Sequence, residues 1–130
     1  MKKRPPLLAD HPRAIQVLLA VVLPIAFGAL TGYFLGVSET TYAVLSALGV
    51  LGGIGAGFDH LGVRAGALRG ALGGVLFGSS ILIAHEIHGA EAETHLPDPE
   101  IVLVAITTTL GVAFGALGGW IRERTEARRT

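Results

Sequence analysis

The sequence predicts an all-α membrane protein of four transmembrane helices, with both termini cytoplasmic and glycine-ladder packing that favours a homo-oligomer. Three observations carry this. Hydrophobic residues make up 51% of the 130, charged ones only 15%, and there are 19 glycines. Four apolar stretches approach the roughly 20 residues that a helix needs to cross about 30 Å of hydrocarbon. All ten Lys and Arg lie in the terminal segments or in the one middle connector. A mean hydropathy of +0.61 fits neither a disordered chain nor an ordinary water-soluble domain. The absence of Cys excludes disulfides and thiolate sites, and a formal net charge of zero gives no basic field for nucleic acid.

The predicted helices are 14–36, 42–58, 70–89 and 101–121. The first follows Lys2, Lys3 and Arg4, but its apolar run is too long for a signal peptide and has no clean cleavage site, so it is read as a retained helix. Pro24 near its middle removes the donor for the Ala20 carbonyl and predicts a kink. The connector 37–41 is short and 59–69 is basic. The connector 90–100 is acidic, with Pro97 and Pro99 as helix breakers. Residues 1–13 form a basic N-terminal segment, 14–121 the transmembrane domain, and 122–130 a basic extension suited to anionic headgroups. Asp59 is expected to pair with Arg64, and Tyr33, Tyr42 and Trp120 to sit at the interfaces.

Orientation follows from the cations, which resist translocation. They precede the first helix, lie between the second and third, and follow the fourth, whereas the other two connectors carry only Glu39, Glu91, Glu93, Asp98 and Glu100. This places the protein in the cell (inner) membrane as a multi-pass chain with an acidic external face. So strong a bias argues against the inverted dimers formed by small four-helix transporters and fluoride channels. The chain also lacks the first-helix acid of the former and any Asn for the latter.

Each helix carries glycines four residues apart. They are Gly28, Gly32 and Gly36, then Gly49, Gly53 and Gly57, then Gly66, Gly70, Gly74 and Gly78, and last Gly111, Gly115 and Gly119. Lipid offers no hydrophobic gain for helix association, so small residues that let backbones approach are the usual packing faces. Gly52, Gly55, Gly73 and Gly118 lie beside these stripes and leave surface for further copies of the chain. The run Leu48-Gly49-Val50 recurs as Leu110-Gly111-Val112, consistent with a duplicated hairpin.

Polar groups within the spans are the functional candidates, because ionisable side chains in a membrane usually face a cavity or one another. Ser46, His85, Glu86, His88, Thr107 and Thr108 are assigned to an ion pathway or binding site in the outer third. His85 and His88, three apart on one helix, are candidate ligands of a divalent metal with His95. Alternatively His85 and Glu86 carry protons. His85 is also within sequence reach of a bond to Thr107. The segment reads His-Glu-x-His, not the zinc-hydrolase His-Glu-x-x-His, so no enzyme is expected. The expected function is a small cation or proton channel or transporter; the alternative is a non-transporting scaffold or assembly subunit, packed through its glycine faces against a membrane-protein partner.

Overall fold

The structure, a computed structural model, describes residues 5–129. Lys2, Lys3 and Arg4 of the basic N-terminal segment lie outside the described residues. The described chain is helical without strands, and four helices are long and apolar enough to span a membrane: α1 (Arg13–Leu35), α2 (Glu39–Phe58), α3 (Val63–His88) and α4 (Ile101–Ala127). At about 1.5 Å per residue, α2 is about 30 Å long and α3 and α4 about 40 Å, so the latter two project beyond a hydrocarbon core that α2 only just crosses. Large apolar side chains of all four helices, including Leu23, Leu51, Ile83 and Ile106, are exposed on the outside of the bundle. That surface suits lipid contact.

Each boundary has a local cause. Ser38 caps α2, its Oγ accepting from the Thr41 amide at 3.3 Å, and Glu39 sits favourably at the positive end of the helix dipole. The helix therefore starts at Glu39, ahead of the predicted Tyr42. The connector to α3 is only 59–62, closed by Gly62 at φ +97°, a conformation that disfavours any residue with a Cβ. Arg64 and Arg69, predicted in a loop, are therefore helical. Gly89 ends α3 in the left-handed conformation, φ +74°, with its amide on the His85 carbonyl. α4 runs past the predicted Ile121 to Ala127, supported by the Arg122–Glu126 pair four residues apart.

The helices alternate in direction. The most extensive pairings are α3 with α4, α1 with α3 and α2 with α4, whereas α1 and α2, although adjacent in sequence, touch less. Both ends of the described chain meet at one end of the bundle, here the terminal end. There Arg122, 1% exposed, donates to the carbonyls of Phe58 and Pro5 and to Glu126 Oε1, and lies 5.1 Å from the Phe58 ring centre. This corrects the expectation that Arg122 contacts headgroups. Three acceptors and a ring face compensate its burial. The expected Asp59–Arg64 ion pair is not formed among the described residues; the Asp59 carboxylate acts on Arg69, beyond ion-pair distance, and its backbone carbonyl accepts from the Leu8 amide.

At the opposite, loop end, Leu35, Phe77 and Ile81 form the buried core, and Ala92 and Leu96 of segment 89–100 pack on it. The Glu93 amide binds the Leu35 carbonyl at 2.8 Å, so the segment lies across the end of α1.

Candidate functional site

Two regions hold polar or open features. At the loop end, Gly32 abuts Ile81 and Ala84, and Gly36 abuts His88 and Ala90. His85 is therefore level with Leu35, the last residue of α1, at the loop end of the bundle. Its Nδ1 is enclosed without a hydrogen-bond partner among the described residues, and Ser46 Oγ on α2 is enclosed beside the Tyr42 hydroxyl. Glu86, His88 and His95 are exposed, and the His88 ring lies against Tyr33 with centroids 4.5 Å apart. Among the described residues no three His, Asp or Glu side chains come together as a metal shell, so His85, His88 and His95 are not gathered into one site.

Thr107 and Thr108 are occupied elsewhere. The Thr107 hydroxyl, buried between α3 and α4, is shared by the carbonyls of Gly74 at 2.8 Å and Val104 at 3.0 Å. Thr108 Oγ1 donates to Val104 at 2.7 Å. Thr107 therefore does not make the bond to His85 that the sequence suggests.

The second region is a half-enclosed cleft of about 370 Å³ between α1 and α2, floored by α3 and α4. Leu19, Leu23, Pro24 and Phe27 form one wall, and the α2 stretch from Leu48 to Ala56 forms the other. Gly70, Gly73, Gly74 and Gly111 contribute to the floor. Phe27 and Phe77 stack at 5.9 Å and close the cleft towards the loop end. Leu23, Leu48 and Gly52 are exposed at its mouth. Its polar side chains are Thr107, already bonded, and Arg69.

Arg69 is positioned by a defect in α1. Residues Leu18–Val22 form a π-helical turn in which the Leu23 amide binds the Leu18 carbonyl, one residue further back than in an α-helix. In that register the next donor, for the Leu19 carbonyl, is the nitrogen of Pro24, which carries no hydrogen. Arg69 Nη2 fills the gap, donating to the Leu19 carbonyl at 2.9 Å. The carbonyl rescued by a side chain is thus that of Leu19, one residue from the predicted Ala20. Nη1 lies over Gly73, where a methyl group would meet it at 3.1 Å.

Hydropathy hides Arg69, because two arginines end the apolar run at Gly70. The glycine spacing reveals it: Gly66 is in register with Gly70, Gly74 and Gly78, which requires helix on both sides of Arg69. Comparison with known proteins finds no matching family, no matching curated protein and no matching solved structure.

Proposed function

We propose that the protein is a small homo-oligomeric membrane channel or transporter for a cation or protons, entered at the acidic loop end beside His85 and Glu86. The observation that carries this reading is the enclosed His85 Nδ1, which no described residue satisfies, with Ser46 Oγ enclosed beside the Tyr42 hydroxyl on α2. Enclosed polar atoms are nearly always paired, so His85 Nδ1 calls for a water, an ion or a partner copy. They lie at the end whose connectors carry Glu39, Glu91, Glu93, Asp98 and Glu100 and no Lys or Arg, a charge pattern that concentrates cations. The α3/α4 backbones are too close for a passage between them and the α1/α2 cleft is walled by apolar side chains, so this reading places the path between copies. α2 supplies the contact face at Gly55, outside the cleft, which meets nothing within 4 Å and admits another backbone closely.

The test is flux in liposomes reconstituted with the purified chain, for protons, K⁺, Na⁺ and a divalent ion, beside the His85→Ala/Glu86→Gln double variant. Flux that the double variant abolishes supports the reading; unchanged flux removes both residues from the pathway. A specific observation favours a second reading, the scaffold or assembly subunit: Thr107 and Thr108 donate their hydroxyls to backbone carbonyls, Thr107 across the α3/α4 seam, and so serve helix packing. Absence of any flux from folded oligomer, with co-purification of a stoichiometric membrane partner, supports that alternative.

A further inference from the structure

We infer that the cleft between α1 and α2 binds an anionic phospholipid of the surrounding bilayer, with its phosphate on Arg69 and an acyl chain along the glycine floor towards Phe27 and Phe77. This inference is independent of the transport reading. It starts from the direction of the Arg69 side chain. A long cation near a helix end usually extends to the nearer interface, where water and headgroups solvate it. Arg69 lies six residues into α3 from the terminal end, yet its guanidinium is turned the other way, over Gly73 one turn deeper. Helical side chains normally lean towards the N-terminus, so this orientation runs against the default.

The bond to Leu19 explains only part of the arrangement. It uses one of five guanidinium N–H groups. Asp59 is near enough to favour the Arg69 charge, but no carboxylate lies within ion-pair distance of it, the single ion pair among the described residues being Arg122–Glu126. The positive charge therefore borders a cleft whose remaining walls are apolar and whose mouth opens among membrane-spanning helices. A purely apolar occupant would bury the remaining donors without partners, which is unfavourable for every group so left. A phosphate accepts two parallel N–H bonds from a guanidinium and neutralises it.

Size and position agree with a lipid. The volume of about 370 Å³ lies within the range of small-ligand sites. The distance along α3 from Arg69 to Phe77 is roughly 12 Å at 1.5 Å per residue, which matches a length of acyl chain below a headgroup near the terminal end. Gly52 lines the mouth and has open space around it. A large side chain there fills the cleft without displacing a neighbour.

The experiment is native mass spectrometry of the full chain from detergent, offered equal amounts of dioleoylphosphatidylglycerol and dioleoylphosphatidylcholine, with oleate as a third arm. The wild type is expected to retain phosphatidylglycerol over phosphatidylcholine by about tenfold, as bonds to a charged group require. Arg69→Gln keeps an N–H donor for the Leu19 carbonyl but loses the charge, so its retention should fall to parity. Gly52→Leu should lose both lipids while its circular dichroism stays that of the wild type. Parity in the wild type overturns the proposal. So does an undiminished preference in Arg69→Gln, or retention of oleate in place of phosphatidylglycerol. If Arg69→Gln does not fold, undiminished retention by folded Gly52→Leu is sufficient to overturn it.

Discussion

The α3/α4 seam and the α1/α2 cleft use the same residue to opposite ends. Along the seam, Gly66, Gly70 and Gly74 of α3 lie against the backbone of Gly119, Gly115, Gly111 and Thr107 of α4, so closely that a methyl group at Gly70 would run into the Gly111 carbonyl. Across the cleft, α2 has glycines at the same spacing. Gly57, at the terminal end, does meet the Gly115 backbone of α4, but Gly49 faces the Phe77 ring, Gly53 meets only the Phe114 Cβ at 3.6 Å, and Gly52 meets nothing. The difference lies in the opposing residue. Two small stripes in register bring backbones into contact, whereas one small stripe facing a phenylalanine is held off and leaves a cavity below the ring. Glycine spacing therefore identifies a face that can be approached, and its partner decides whether it is.

Three substitutions test that contrast. Gly70→Ala should have the largest effect, a loss of about 3 kcal/mol, since the obstacle is backbone that cannot rotate away and overpacking of this kind exceeds the helix-propensity gain. Reversible unfolding in mixed micelles measures it; stability equal to wild type would show that the seam is looser than described. Thr107→Val removes the hydroxyl that reaches across the seam to the Gly74 carbonyl. It should cost about 1 kcal/mol by the same assay, a typical value for one interhelical bond in a membrane. Gly52→Ala should have the smallest effect and the opposite sign, a gain of up to about 1 kcal/mol from helix propensity alone. A marked loss there would mean that α2 is already covered by another copy, and cross-linking of a Cys introduced at Gly55 would then identify that contact.

Much of the fold was legible because bilayer thickness and hydropathy constrain it directly. The four spans and the breakers Pro97 and Pro99 follow from apolar length and the rigidity of proline. The start of α3 was less legible. Arg64 and Arg69 interrupt the apolar run, and the tight turn at Gly62 that keeps them helical depends on a backbone conformation that hydropathy does not record. The site was legible only in part. His85 and Ser46 have an enclosed polar atom each, but what encloses them depends on how α1 and α2 pack against α3, which spacing along one helix does not record. Arg69 was obscured for a different reason: its role depends on the π-turn at Leu18–Val22, a register shift set by Pro24 and satisfied by a side chain from another helix.

Arg122 has a consequence for how the protein is made. It joins the carbonyl of Pro5, before the first span, to that of Phe58, at the end of the second, while itself standing in the fourth. None of these bonds can form until α4 has been synthesised and inserted. During translation the segment before α1 and the C-terminal end of α2 therefore wait with unmet acceptors, exposed to water at the membrane surface. A ribosome stalled after α3 would leave three inserted helices without this clasp and with the glycine stripe of α3 facing lipid.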